Sequence, residues 1–360
     1  MPRLNTPRLR QFRMPAEWEP HEATWLAWPH ERTDWPGKFT PIPYVYADIV
    51  RHLSHVEKVR ILIDDEPAQE NARRLCARAG AAMDSVEFFR CATDRSWTRD
   101  TCPTFVKSTK GRVAIVNWRF NGWAKYENHQ ADAGVGDFLA RRLDLVQWKP
   151  VCGGKKRVVL EGGAIDVNGR GSLLTTEECL LSPSVQVRNP GCGKAEMEKI
   201  FWEYLGITNT LWLNKGLVGD DTHGHVDDLA RCVNPSTVVV AVEEDKTDGN
   251  YEPTRENYQI LRLMSDQRNR PLNVVKLPMP RPVVYDGQRL PASYANFYIA
   301  NKIVLVPTFN DPADRVALLA LAKLFPEREV RGIHCLDLVL GLGTLHCMTQ
   351  QQPAHPVSRL

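Results

Sequence analysis

The chain has no run of about eighteen consecutive apolar residues, which excludes a membrane-spanning helix. It has no Cys-x-x-Cys pair. Its nine cysteines, an odd number, are scattered from Cys76 to Cys347. That spacing excludes a simple zinc ribbon and does not suggest a disulfide framework. Most are therefore expected to be reduced thiols in a cytoplasmic protein. Charge of one sign is also lacking. The net charge is only +3, without the clustered basic face of a nucleic-acid binder. The one basic group is Arg3, Arg8, Arg10 and Arg13. No apolar segment comes after it, so a secretory leader is not expected. Residues 1–12 read instead as a flexible basic arm. No low-complexity linker or shift in composition divides the remainder of the chain, so residues 13–360 are expected to form a single domain.

What is present is the make-up of an ordinary folded protein, 43% hydrophobic and 25% charged over 360 residues. Strands are expected at 58–63, 86–91, 113–118, 157–160, 209–213, 237–242, 274–277, 330–333 and 336–340. Helices are expected at 44–53, 66–79, 131–143, 194–205, 255–268 and 313–324. Hairpins are expected across Asn168-Gly169-Arg170-Gly171 and across Asn301. Thr175 with Glu178 fits a capping box. From Asp100 through Glu161, Asp227 and Asn296 to Cys347 the steps are 61, 66, 69 and 51 residues. Such recurrence suggests a ring of about five similar units, each ending a strand near a common centre.

Three groups of residues bear on chemistry. The first is Asp220-Asp221-Thr222-His223-Gly224-His225-Val226-Asp227-Asp228. Imidazoles and carboxylates suit zinc, so a zinc hydrolase on His223, His225 and Asp227 is one reading. On an extended segment, however, His225 and Asp227 share a face. With a distant thiol they become the parts of nucleophilic cysteine catalysis. The second is Cys347, which comes after the apolar run 336–340 and the glycine-flanked turn Gly341-Leu342-Gly343-Thr344. Glycines let a backbone approach a ligand closely. By strand alternation His346 would point away from the Cys347 thiol, as a packed or orienting residue rather than its base. The third is a set of lone acids. Asp100 and Glu161 taken singly would be solvated residues. If they converge with Asp227, they require a cation to offset their mutual repulsion, and Trp97 could cover that cation's face.

The blocks Trp97-x-x-Asp100, Leu160-Glu161-Gly162-Gly163, Gly224-His225-Val226-Asp227 and Leu345-His346-Cys347-Met348-Thr349-Gln350-Gln351-Gln352-Pro353 together resemble the agmatine deiminase and bacterial-type peptidylarginine deiminase family. Pro15-Ala16-Glu17-Trp18, Thr175-Thr176-Glu177-Glu178-Cys179-Leu180-Leu181 and Ala292-Ser293-Tyr294-Ala295-Asn296-Phe297-Tyr298 extend the likeness from about residue 12 to residue 354. The resemblance implies an α/β pentein fold, a five-fold pseudosymmetric propeller of ββαβ-like modules. It implies a hydrolase of guanidinium groups that needs no metal or other cofactor. Cys347 would be the nucleophile, His225 the acid and base, and Asp100 and Asp227 the grip on the guanidinium. Glu161 would orient His225, and Trp97 would pack on the substrate.

Two departures from the family pattern concern the far end of the substrate: Leu342 within the glycine turn, and His223 where an acid or amide is common. Asp221 remains as partner for an ammonium. Agmatine is the expected substrate, with free or peptidyl arginine as the alternative. A catalytically silent binding module on the same fold is a third reading. No nucleic-acid or membrane partner is expected. Assembly into a homo-oligomer is compatible with the sequence and not required by it.

Overall fold

The computed structural model describes residues 6–154 and 156–355. The chain repeats one unit. An antiparallel pair of strands is followed by a helix, and the helix returns the chain to a third strand parallel to the second. The pairs Thr104–Ser108 with Val113–Val116, Asp166–Val167 with Ser172–Thr176, Ala230–Asn234 with Thr237–Val242, and Tyr298–Ile299 with Ile303–Thr308 each begin such a unit. The returning strands are Gln147–Trp148, Asn209–Leu213, Asn273–Pro278 and Glu329–His334. A parallel return needs a crossover of a dozen or more residues. The helices Gln130–Arg142, Lys194–Ile200, Tyr251–Leu263 and Ala313–Leu324 supply it.

The fifth unit joins the two ends of the chain. Gln350–Pro353 lies antiparallel to His21–Ala27, which runs parallel to Lys58–Ile63 across the helix Ile42–Ser54. A further strand, Val86–Arg90, extends this sheet across the helix Glu66–Ala79. The five-unit α/β ring of the pentein expectation is therefore present.

The central strands read as unbroken apolar runs because both of their faces are covered. Val238, Val239, Val240 and Ala241 are all buried. The helices are two-faced: Ala317 and Leu321 are buried, while Val316 and Leu319 on the same helix are exposed.

Several local expectations change. Residues 336–340 do not form a strand; Leu338–Gly341 is a single 3-10 turn. The segment enters from Cys335 in a tight bend, with the Val339 N–H donating to the Cys335 carbonyl. The helix expected at 255–268 begins earlier and ends earlier, at Tyr251–Leu263. The cap of the short helix Glu177–Leu181 is Thr176, whose hydroxyl accepts from the Cys179 N–H; the Thr175 hydroxyl instead donates to the Ala164 carbonyl. Cys152 and Cys192 are joined as a disulfide, and the other seven cysteines are free. Of the arm expected over residues 1–12, Arg3 lies outside the described residues. Arg8–Arg10 is not a free arm: it forms a 3-10 turn with Arg8 over the ring of Trp202. Among the described residues no helix is long and apolar enough to cross a membrane.

Candidate active site

Each of five candidate residues sits in a short turn just ahead of the first strand of a unit, rather than at the end of a preceding strand. Asp100 lies in the helical turn Thr98–Thr101, before Thr104–Ser108. Glu161 precedes the turn Gly162–Ala164 and the strand Asp166–Val167. His225 precedes the turn Val226–Asp228 and the strand Ala230–Asn234. Asn296 comes just before Tyr298–Ile299, and Cys347 just before Gln350–Pro353. Five equivalent entry points of a ring face one centre. Because Val226–Asp228 is a 3-10 turn, strand alternation is not what brings His225 and Asp227 together.

The side chains of Asp100, Glu161, His225, Asp227 and Cys347 converge. His225 is the hub. Its Nδ1 lies 3.9 Å from Asp100 Oδ2 and 3.9 Å from Asp227 Oδ1, and its Nε2 lies 4.0 Å from Glu161 Oε2. The Cys347 Sγ accepts from Asn296 Nδ2 at 3.0 Å and stands 3.6 Å from Asp227 Oδ2. Asp100 is fixed from both sides, by the Gly163 N–H at 2.9 Å and by Trp123 Nε1 at 2.8 Å. Glu161 Oε1 accepts from Arg188 Nε at 3.1 Å, and both side chains are fully buried. Arg188 also donates to the carbonyls of Gln186 at 2.9 Å and Thr222 at 2.5 Å. It thus ties the Glu161 turn to the loop that delivers His225.

Cys347, Asp100 and Trp97 line one cavity of about 610 Å³, together with Trp123, Tyr126 and Asp221. The Trp97 ring packs on Trp35 at 5.6 Å, and its Nε1 donates to Asp34. A Cβ on Gly343 would stand 3.0 Å from the Trp97 ring and 3.2 Å from the Cys347 sulfur. Glycine there lets the backbone run beneath both. Leu342, in the same wall, is held at φ +67°, a conformation rare for a branched side chain.

The electrostatics derive from burial and crowding. Burial first, then Asp227 and Glu161, push the Asp100 carboxyl above its usual range despite His225. Burial would lower the His225 imidazole, but Asp100 foremost, with Cys179 and Asp227, holds it well above its ordinary value. Burial would raise Asp227 as well; hydrogen bonding and charge from His346 outweigh it and hold Asp227 low. Burial, then Asp227, Asp228 and Asp100, push the Cys347 thiol well up. Burial and the surrounding acids thus disfavour the thiolate and favour the charged imidazole, and the acids favour one more positive group.

Sequence reasoning missed several supports. His346 and Cys347 lie in a turn, not a strand, so alternation does not separate them: His346 Nδ1 meets Asp227 Oδ2 at 2.7 Å, the same oxygen that stands 3.6 Å from the Cys347 sulfur, and its Nε2 meets Glu17 Oε2 at 2.9 Å. Glu17 and Asn296 fell inside matching blocks, and Asn296 fell on the five-step spacing, so both had a signal. Arg188 and Trp123 had none. The zinc expectation on His223, His225 and Asp227 is not met. Among the described residues the groups with metal-ligand spacing are Glu161, Cys179 and His225, and Asp227, Asp228 and Cys347. His223 belongs to neither; it sits in the turn at φ +63°. Asp221 faces the cavity with its carboxylate held by Lys125 Nζ and by the Tyr126 hydroxyl.

The family model of Porphyromonas-type peptidyl-arginine deiminases matches residues 13–353. The chain belongs to that family. This deiminase relative is 36% identical to an agmatine deiminase of Pseudomonas aeruginosa, over 97% of this chain and 98% of the other. Its fold superposes on the agmatine deiminase of Enterococcus faecalis with a TM-score of 0.88 at 30% identity, covering 97% of each chain. A C. jejuni agmatine deiminase solved with substrate bound, in which a cysteine is replaced by serine, gives 0.85 at 28% identity, covering 96% of this chain and 97% of that one. The wider fold extends to an amidinotransferase of Microseira wollei at 12% identity, with a TM-score of 0.53 and coverage of 97% and 98%.

Proposed function

We propose that the chain hydrolyses the guanidinium group of a small cation, agmatine foremost, to N-carbamoylputrescine and ammonia. The observation that carries this is that the Cys347 thiol, which lines the cavity together with Asp100, meets Asp227 and Asn296. A guanidinium is planar and stays protonated, with N–H donors in a fixed fork. Asp100 and Asp227 accept from that fork and hold its carbon toward the sulfur. The arriving charge favours the thiolate that the substrate-free site disfavours. The thiolate forms a C–S bond to the guanidinium carbon. As the tetrahedral intermediate collapses, a C–N bond breaks, and His225 delivers a proton to the departing ammonia. His225 then takes a proton from water, the resulting hydroxide attacks the thiouronium carbon, and the C–S bond breaks. A ureido product and free thiol result. Glu161, held by Arg188, keeps the imidazole aimed. Trp97 packs on the apolar part of the substrate, and Asp221 receives the distal ammonium. The agmatine deiminases to which the chain is similar over nearly its full length support the choice of substrate.

Free arginine, giving citrulline, is the second reading. Arg95 lines the same cavity and Lys125 sits on Asp221, and either cation could receive a carboxylate. Ammonia release from agmatine, butylguanidine, arginine and an arginyl peptide ranks the readings. Agmatine is expected to be turned over fastest, and Cys347→Ala to abolish turnover of every one. Release from no guanidine, or full activity in Cys347→Ala, overturns the proposal.

A further inference from the structure

His225 has a second face. Its Nδ1 looks toward Asp100, Asp227 and the substrate side, while its Nε2 looks the other way, toward Glu161 Oε2 at 4.0 Å. Both of those facing atoms are buried, and neither has a hydrogen-bond partner. Cys179 joins them: its sulfur, one nitrogen of His225 and one carboxylate oxygen of Glu161 all lie within 4.8 Å of one another. Cys179 is placed there by the Thr176 cap, whose hydroxyl accepts from the Cys179 N–H at 3.1 Å.

We propose that Glu161, Cys179 and His225 form a binding site for a borderline-soft divalent cation, zinc foremost, and that its occupancy switches the enzyme off. One imidazole nitrogen, one carboxylate oxygen and one thiolate sulfur are a zinc donor set, leaving the fourth position to water. With bonds of about 2.0–2.3 Å, a tetrahedral centre needs its donors to close in by only about 1 Å. The surroundings are those of a built site. Metal-ligating histidines usually turn their other nitrogen to a carboxylate, and here Asp100 and Asp227 stand opposite Nδ1, each at 3.9 Å. Ligating carboxylates are themselves held, and Arg188 holds the free oxygen of Glu161 at 3.1 Å. The second group, Asp227, Asp228 and Cys347, lacks an imidazole. Its sulfur already accepts from Asn296, and Asp227 Oδ2 is held by His346, although Asp227 Oδ1 is unpartnered.

Binding exchanges protons for metal. The Cys179 thiol proton and the Nε2 proton of a charged imidazole pass to solvent as the metal bonds form. An imidazole metallated at Nε2 no longer carries the extra proton that the leaving ammonia takes. The inhibitory effect therefore rests on the proposed role of His225, whereas the binding does not. The substrate cavity lies on the Nδ1 side and stays open, so inhibition lowers kcat and leaves KM for agmatine unchanged.

The test uses cobalt(II) and zinc chloride with the full chain. Cobalt(II) added to Cys347→Ser protein is expected to give a thiolate-to-metal charge-transfer absorption at one equivalent. The band should vanish when Cys179→Ser is added, and equally with Cys179→Ala should the serine variant fold poorly. In an otherwise wild-type background, Cys179→Ser should raise the half-inhibitory zinc concentration by on the order of 100-fold. The proposal is overturned if no cobalt band forms. It is also overturned if the band tracks Cys347 rather than Cys179, or if zinc competes with agmatine. Were the chain to turn over no guanidine, the cobalt band would still decide the metal site, so the two failures are distinguishable.

Discussion

Replacing Glu17 by glutamine keeps the shape of a buried hub and removes its charge. Glu17 Oε1 accepts from Arg231 at 2.9 Å and from the Ile299 N–H at 2.8 Å. Its Oε2 meets His346 at 2.9 Å and Arg99 at 3.2 Å. An amide offers one acceptor where the carboxylate offers two, and turns an NH2 group toward donors. Arg231 retains Asp166 at 2.6 Å, while Arg99 loses its only salt-bridge partner among the described residues. Breaking a buried pair from one side costs about 3–5 kcal/mol. Unfolding entropy is about 2.1 cal/mol/K per residue. Over 360 residues that loss lowers Tm by roughly 4–7 °C.

The pH dependence has a definite sign. Burial would raise Glu17, but Arg231, His346 and Arg99 hold it well below its ordinary 4.5. A depressed acid contributes stability above its unfolded value and loses it as pH falls. The gap between wild type and Glu17→Gln should therefore be widest near neutrality and narrow below pH 4.5. Thermal melts across pH read this directly. Because His346 also holds Asp227, kcat should fall by about 10- to 100-fold. A melt within about 1 °C of wild type at neutral pH, or a gap that widens on acidification, would refute the reasoning.

Three other outcomes are expected. In Gly163→Ala the new Cβ would stand 2.5 Å from His225 Nδ1 and 3.1 Å from Asp100 Oδ1; displacing the imidazole by about 1 Å should cut kcat on the order of 100-fold, measured by ammonia release on folded protein. Asp221→Asn should raise KM for agmatine by about 5- to 30-fold, or 1–2 kcal/mol, and leave butylguanidine, which has no ammonium, nearly unchanged; equal effects on both would remove Asp221 from the substrate's far end. Alkylation of Cys347 by iodoacetamide, read out by peptide mass, should be slow at neutral pH in the substrate-free enzyme and still be climbing at pH 9.0, because burial and the neighbouring acids raise the thiol. A plateau below pH 8, under the ordinary thiol value of about 8.5, would contradict that electrostatic picture.

The residues of the centre were legible because each stands in a short block of distinctive chemistry, and the uneven five-step spacing pointed to the ring. The local geometry was not. Runs such as 336–340 are apolar because they are buried, and burial alone does not separate a strand from a 3-10 turn. The supports were hidden for another reason. Arg188 meets Glu161 across 27 positions and Glu17 meets His346 across 329. No periodic pattern encodes such meetings. Cys179 fell in a matching block beside a helix cap but carried no chemical signal of its own, since only the fold brings its sulfur beside an imidazole 46 positions away.

The pairing of Gln350–Pro353 with His21–Ala27 fixes when activity can arise. The proposed nucleophile Cys347 stands just ahead of Gln350–Pro353, a strand that is paired only with one from the other end of the described chain. A growing chain thus carries carboxylates and imidazole long before it has a sulfur seated to use them. Chemistry and completed assembly are in this way one event.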